Sequence, residues 1–226
     1  MGAVLAAGCA PAKPLGVYDS TEIGAPAWKV GQNWRFKRTD SYTNLPRGTL
    51  TRSVTAAEAG RIRIETINEN GVLLDDAIFT EPGIQVAGTL SEEGPIIGRI
   101  DTRWRRYDFP LVSGKRWSDN FYIDRTDNQG TRNYVQLTTR VEGWEDVDVA
   151  GRPYRAVILR RNWNLGPRSF FNGLLYRDEI EWYVPRLGAP ARWKTYEEYY
   201  ERRHAIMGPM LKGDSFLYVL ESSNVA

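Results

Sequence analysis

The sequence has very few of the residues that bind metals or form disulfides, since its 226 residues include one cysteine and one histidine. A single cysteine excludes a disulfide within the chain. The histidine, His204, lies in a predicted loop, and the folded part holds no second histidine or cysteine to complete a zinc site or a nucleophile–histidine pair. We therefore predict no metal site and no cofactor.

The sequence also lacks an excess of either charge and any long hydrophobic run. Thirty basic residues oppose 28 acidic residues, which gives a formal net charge of +2. This balance provides no electrostatic field that would attract nucleic acid, so we predict no nucleic-acid partner. No run approaches the roughly 18 apolar residues of a membrane-spanning helix. A hydrophobic content of 42% is typical of a globular chain with a sizeable core.

The cysteine, Cys9, lies near the start of the sequence, behind the small residues of the segment Leu5–Gly8. Such a segment resembles the lipobox of bacterial lipoproteins, in which the lipidated cysteine becomes the mature N-terminus. Two features depart from that pattern: Ala6 stands where leucine is usual, and the preceding segment is short and has no basic residues. We predict lipidation of Cys9 if an upstream signal sequence is present; the alternative is an incidental cysteine.

The segment Ala10–Ala25 is rich in proline, glycine and alanine, a composition that predicts a flexible tether. We expect residues 1–25 to comprise a signal remnant and this tether. Residues 26–226 would then form a single β domain.

Apolar and polar residues alternate with a period of two through most of this domain, and that period predicts β-strands. Residues 61–66 alternate cleanly, and Asn68–Gly71 is typical of a hairpin turn. Further strands are predicted to begin at Trp34, Gly48, Val72, Ile84, Trp117, Gly130, Tyr154, Leu174, Ala191 and Ser215. Residues 191–203 also have partly helical spacing, and residues 204–214 are predicted as a loop. Many short strands without a long helix predict an all-β fold, a curved antiparallel sheet or barrel.

Two copies of the motif Gly-x-x-Trp, which end at Trp34 and Trp117, each stand directly before a predicted strand. The next glycine that opens a strand follows the motif's glycine after 17 residues in the first copy and 16 in the second. A duplicated β unit, with halves 26–106 and 107–226, would explain this spacing and would place both tryptophans in equivalent buried positions. The alternative is coincidence among common turn residues.

Three stretches of the second half, residues 110–117, 147–156 and 181–188, contain the patterns Pro-Leu-Val-Ser-Gly-Lys-Arg-Trp, Val-Ala-Gly-Arg-Pro-Tyr and Trp-Tyr-Val-Pro-Arg-Leu-Gly. In that order they resemble the TapB and DUF3108-like group of bacterial envelope proteins, and the resemblance spans roughly residues 107–222. This chain lacks the proline of the group's hairpin motif and has an extra Ser113 in the opening motif.

The resemblance implies a secreted or lipid-anchored β protein of the lipoprotein-carrier type, located in the periplasm or at the outer membrane. It brings no catalytic residues. We predict partners of two kinds: the membrane, through a lipid anchor, and an apolar small molecule or lipid, or an envelope protein.

Acidic residues offer one remaining route to catalysis. Glu179 and Glu181 lie two residues apart in the predicted strand 174–184, and paired carboxyl groups carry out glycoside hydrolysis. We predict instead that both glutamates lie on the solvent side, paired with arginines, while Ile180, Trp182 and Val184 are buried. We therefore predict no catalytic residues.

Tryptophans are the remaining candidates for a binding site, because the indole ring can line an apolar cavity or stack on a sugar. The candidate ligand-binding residues are Trp34, Trp117, Trp144, Trp163, Trp182 and Trp193. The leading hypothesis is a non-enzymatic envelope lipoprotein whose aromatic-lined concave face binds an apolar small molecule, a lipid or an envelope protein. The alternatives are a polysaccharide-active enzyme that uses Asp/Glu pairs and a carbohydrate-binding or structural module.

Overall fold

The computed structural model describes residues 15–89, 98–100, 102–125, 132–167, 172–203 and 206–225. Cys9 and His204 lie outside these residues. Within them the chain forms fourteen strands and a single turn of 3₁₀ helix, and no α-helix is present. No helix in the described part of the chain is long and apolar enough to cross a membrane.

The strands are numbered in chain order. The first seven are β1 (Asn33–Asp40), β2 (Pro46–Glu58), β3 (Arg61–Asn68), β4 (Leu73–Glu81), β5 (Ile84–Thr89), β6 (Arg99–Ile100) and β7 (Trp104–Arg105). The next four are β8 (Arg116–Asp124), β9 (Arg132–Val149), β10 (Arg152–Pro167) and β11 (Asn172–Val184). The 3₁₀ turn (Pro185–Leu187) precedes β12 (Ala189–Arg203), β13 (Ile206–Lys212) and β14 (Phe216–Ser223).

The strands close into an antiparallel barrel. Around the ring the order is β11, β10, β9, β8, β6, β5, β4, β3, β2, β1, β14 and β12, and pairing of β12 with β11 completes it. Twelve strands therefore form the wall, while β7 pairs with β5 and β13 pairs with β12 outside the ring. The predicted all-β fold, a curved antiparallel sheet or barrel, is confirmed.

One strand was predicted as a loop. Residues 206–212 contain Gly208 and Pro209, which are typical of turns, yet they form β13. β12 is long enough to pair with β14 near its start and with β13 further along, where Tyr199 lies opposite Leu211. Among the described residues β13 pairs on one side only, and an edge strand tolerates a proline. The residues with mixed spacing, 191–203, form a strand, as predicted.

The buried side chains form three clusters inside the wall. In the largest, Trp193 stacks on Tyr218 with 4.2 Å between the ring centroids and meets Phe36 edge to face at 4.8 Å. The second cluster surrounds Leu111 and includes Trp117, Trp144 and Tyr183. The third cluster surrounds Trp104 and includes Phe121, Trp163 and Leu175.

The described part of the predicted tether, residues 15–25, is held to the barrel by backbone hydrogen bonds at two positions. The backbone of Val17 exchanges two hydrogen bonds of 2.8 Å with Trp144, and the backbone of Ile23 exchanges two of 2.9 Å with Leu111. Ile23 is buried in the second cluster. The physical reason is an open edge: the pairing of β8 with β9 ends before Trp144, which leaves that backbone free to pair with Val17.

Trp34 and Trp117 are each the second residue of a strand, in β1 and β8, and both are buried, at 2% and 5% exposure. β1 lies between β14 and β2, and β8 lies between β6 and β9. The burial agrees with the expectation from the sequence. The duplication and the division at residues 106 and 107 stay predictions.

We expect Trp34→Ala to lower the free energy of unfolding by about 3–5 kcal/mol, because it removes a buried ring from the largest cluster. Urea denaturation followed by circular dichroism measures the change. Tyr122→Ala is the control: this side chain is 47% exposed on β8, and we expect a loss of about 1 kcal/mol or less. Equal losses in the two variants would contradict the burial of Trp34.

Candidate functional site

The barrel interior contains a group of buried charges that alternation alone did not predict. Arg161 of β10 is 0% exposed, and Glu179 and Glu181 of β11 are 7% and 0% exposed. The strand register places Arg161 directly opposite Glu179. The prediction that both glutamates face solvent is therefore wrong, although the predicted pairing with arginine is present.

Arg161 is the centre of this group. Its Nη1 donates to Oε1 of Glu179 over 2.6 Å and to Oε2 of Glu181 over 2.8 Å, while its Nη2 donates to the backbone oxygen of Arg106 over 3.0 Å. The hydroxyl of Tyr107 donates to Oε1 of Glu181 over 2.7 Å. Each oxygen of Glu181 thus accepts a hydrogen bond. We name Arg161, Glu179 and Glu181 the Arg161 triad.

The charges around Glu181 determine its protonation. Burial by itself would raise its pKa, but the positive charges of Arg161 and Arg106 and the hydrogen bonds from Tyr107 and Arg161 outweigh burial and lower the pKa below its ordinary value. Burial also raises the pKa of Tyr107, as does the nearby charge of Glu181. Glu181 therefore carries a negative charge at neutral pH, which does not suit the proton donor of a glycosidase.

A second group of charges lies on the wall formed by β2, β3 and β4. The register aligns Arg52 with Thr66, and Thr66 with Asp75, so that the three side chains stand in one row. Burial, and then the charge of Arg106, lower the pKa of Arg52 to about 10. Burial raises the pKa of Asp75, although the backbone N–H of Thr89 donates to its Oδ1 over 2.8 Å and both arginines attract its charged form.

Two cavities lie beside these charges and share Asp75 and Arg106 in their walls. The first, which we name the Arg52 cavity, offers about 50 Å³ to water. Its apolar lining includes Trp28, Trp34, Ile64, Ala77 and Phe79, and its polar lining includes Arg52, Thr66, Asp75, Gln85 and Arg106. The second, the Glu197 cavity, offers about 40 Å³. Each volume is enough for a few water molecules.

The two cavities differ in the sign of their charge. Among the described residues, two guanidinium groups and one carboxyl group line the Arg52 cavity. The Glu197 cavity is lined by four carboxyl groups and two guanidinium groups. One of the latter, Arg177, donates from Nε to Oε1 of Glu197 over 2.8 Å. A positively charged space therefore lies next to a negatively charged one.

The structure separates the six predicted tryptophans. Trp34 lines the Arg52 cavity, and Trp163 and Trp193 line the Glu197 cavity. Trp117 and Trp144 pack in the second cluster and line neither of these cavities.

Trp182 was predicted to be buried, and it is only partly buried. It precedes Tyr183 and follows Glu181, so it points to the other face of β11. There its Nε1 donates to Oε2 of Glu145 over 2.9 Å, and the guanidinium of Arg192 lies 4.2 Å from its ring centroid.

The sequence analysis missed Trp28, Arg52, Asp75 and Arg106. Arg52 could have been identified from the sequence, because it lies between Leu50 and Val54 on the apolar face of an alternating run. A charge on an apolar face needs a partner inside the fold. Trp28 and Arg106 lie outside the strands, where no period assigns a direction to a side chain.

The site holds no arrangement of metal ligands. Within the described residues, no group of three or more histidine, cysteine, aspartate or glutamate side chains is placed to bind a metal ion. Carboxyl groups in both cavities lie beside guanidinium groups, which provide positive charge without a metal.

The fold and the site together define a closed antiparallel β-barrel with a charged interior. Solved structures share this fold. A protein from Parabacteroides distasonis, provisionally described as a lipoprotein, matches with a TM-score of 0.56 and 15% identity over 91% of this chain and 100% of that chain. A Bacteroides fragilis protein, provisionally described as an exported protein with a YmcC-like fold, matches with a TM-score of 0.53 and 12% identity over 90% of this chain and 100% of that chain.

At 15% and 12% identity these matches show the fold. No family model and no curated protein matches the sequence. The resemblance of the second half to the TapB and DUF3108-like group therefore stays a prediction.

We expect Glu181→Gln to lower the free energy of unfolding by about 3 kcal/mol or more at neutral pH, because it leaves Arg161 without its full buried counter-charge. The pKa of Glu181 is lowered in the folded protein, so its contribution is present above the ordinary value of 4.5 and is lost as the pH falls through the folded-state pKa. The gap between wild type and variant should therefore shrink below that pH. Urea denaturation at several pH values measures it.

The control is Glu81→Gln, because Glu81 pairs with Arg103 across 3.1 Å while its side chain is 60% exposed. An exposed pair contributes about 1 kcal/mol or less. If the two variants lost similar free energy, the Arg161 triad would not be a buried network.

Proposed function

We propose that this chain is a lipid-anchored protein of the bacterial envelope whose barrel binds an apolar or amphiphilic molecule in the Arg52 cavity. The observation that carries the proposal is an aromatic wall inside a closed barrel, formed by Trp28, Trp34 and Phe79. Mostly apolar cavities with a few placed polar groups are the usual form of small-molecule sites, which enclose roughly 300–1,000 Å³. Since the Arg52 cavity offers about 50 Å³, a ligand must displace some of the side chains that line it.

The polar atoms of the aromatic wall are already satisfied by the protein. Nε1 of Trp28 donates to the backbone oxygen of Gly188 over 2.9 Å, and Nε1 of Trp34 donates to that of Leu187 over 3.0 Å. The ring of Trp28 meets Phe79 edge to face, with 5.2 Å between centroids. The indole N–H groups therefore need no partner from a ligand, and the rings can offer their carbon surfaces to it.

The envelope location has three supports of different kinds. Cys9 lies in a lipobox-like segment, and the second half resembles an envelope group. Two proteins that share the fold are provisionally described as a lipoprotein and an exported protein. These names belong to those proteins, and their transfer to this chain is part of the proposal.

The alternative of a polysaccharide-active enzyme has weaker support. Its candidate carboxyl groups, Glu179 and Glu181, both accept hydrogen bonds from Arg161, and the pKa of Glu181 is lowered. A proton donor in glycoside hydrolysis needs a raised pKa.

We expect the apolar dye N-phenylnaphthylamine to bind the purified protein with one saturable site and enhanced fluorescence. Ala77→Leu should weaken this binding about tenfold or more, because the added atoms occupy the Arg52 cavity where Ala77 forms part of the wall. The matched control is Ala57→Leu, the same substitution at an exposed position of β2. Thermal denaturation verifies that both variants are folded. Equal dye binding by wild type and both variants would contradict this site.

We expect Cys9→Ser to abolish membrane association and to leave folding unchanged, because Cys9 precedes every residue of the described barrel. The full reading frame, with any upstream start, is expressed in a Gram-negative host, and membrane and periplasmic fractions are compared. Cys9→Ser protein that still sediments with the membrane would contradict the lipid anchor. A circular dichroism spectrum like that of the wild type checks the fold.

A further inference from the structure

We propose that the molecule bound in the Arg52 cavity is an amphiphile with an anionic head group, held by Arg52 and Arg106, and with an apolar tail directed along the strands towards Phe79. This inference rests on the proposed function, because it names the ligand class of that same site.

The polarity of the wall formed by β2, β3 and β4 changes in one direction along the strands. On β2, β3 and β4 the first row is Arg52, Thr66 and Asp75, and the next row, two residues further along each strand, is Val54, Ile64 and Ala77. A third row pairs Ile62 with Phe79. Successive rows on one face lie about 7 Å apart. The wall is therefore polar at one end and apolar at the other, as an amphiphile is. The cavity offers about 50 Å³, which is room for a head group, so the tail must displace side chains at the Phe79 end to enter.

The charges at the polar end favour an anion. Arg52 and Arg106 line the cavity together with a single carboxyl group, that of Asp75. The nearest other carboxylate, Glu181, lies 3.9 Å from Nη2 of Arg106 but already accepts hydrogen bonds from Arg161 and Tyr107. The lining thus carries one positive charge in excess. Guanidinium groups bind carboxylate and phosphate oxygens through paired hydrogen bonds.

The lowered pKa of Arg52 agrees with an anionic head group in this cavity. Its pKa is lowered to about 10 by burial and by the charge of Arg106, so its cationic form is less favoured than in water. An anion placed between the two guanidinium groups would reduce their repulsion. The Glu197 cavity cannot serve the same ligand, because four carboxyl groups among its lining would repel an anion.

Asp75 makes the inference testable in two directions. It carries the carboxyl group that would compete with a ligand for Arg52 and Arg106, and both arginines attract it. Arg52→Gln and Asp75→Asn disturb the same group of charges. If these residues only support the fold, both substitutions should weaken binding. If the cavity binds an anion, Arg52→Gln should weaken binding and Asp75→Asn should strengthen it.

The experiment measures displacement of N-phenylnaphthylamine at neutral pH by decanoate, decyl phosphate, decanol and decyltrimethylammonium. We expect at least one of the two anions to bind the wild type about tenfold or more tightly than decanol, and the cation to bind most weakly. Comparison of decanoate with decyl phosphate identifies the head group as carboxylate or phosphate. Arg52→Gln should remove the preference for the anion and leave decanol affinity within about twofold, while Arg52→Lys should retain part of the preference.

The outcomes separate the two proposals. Anions that bind no more tightly than decanol would overturn the anionic head group and leave an apolar site in place. A parallel loss of anion affinity in Arg52→Gln and Asp75→Asn would also overturn it. If the dye and all four compounds fail to bind, the proposed function fails and this inference with it. Should Arg52→Gln not fold, the wild-type ligand series and Asp75→Asn decide the question.

Discussion

The Arg161 triad is the interaction on which the barrel interior depends. A guanidinium group with no exposure to water is tolerated only when carboxylates and carbonyl oxygens surround it. Here Glu179 and Glu181 come from the neighbouring strand, and the backbone of Arg106 comes from the segment that follows β7. The triad therefore fixes three separate parts of the chain at one point. Loss of one member would leave a charge buried without compensation.

Two cavities lie beside this charged centre, and they share Asp75 and Arg106 in their walls. Aromatic rings pack on the guanidinium groups in this region, since Arg52 lies 4.6 Å from the ring centroid of Trp193. The buried charges still need polar partners or water, which an entirely apolar filling could not supply. The same charges give the two spaces opposite signs.

The sequence predicted the strands well, because a period of two is a local property of the chain. It left a curved sheet and a closed barrel as alternatives, since the pairing of β11 with β12 and of β12 with β14 depends on the whole molecule. The two faces of β11 were assigned the wrong way round, because an apolar residue such as Trp182 is normally the buried one. Here Arg161, on the neighbouring strand, binds Glu181 inside the barrel and leaves Trp182 on the outer face. The site was found only in part, through Trp34, because charges on an apolar face were not treated as a signal.

The N-terminal segment that is bonded to the barrel limits how far the barrel can lie from a lipid on Cys9. Five residues separate Cys9 from Leu15, where the described chain begins, and the six Cα–Cα steps between them span about 20 Å when fully extended. Val17 and Ile23 are held to the barrel. With a lipid on Cys9, the side of the barrel that binds this segment would therefore remain close to the membrane leaflet that holds the lipid. On the proposed function, a tether of this length would keep the barrel at one membrane. The bound molecule would then have to arrive from the adjacent bilayer or from a protein on the same surface.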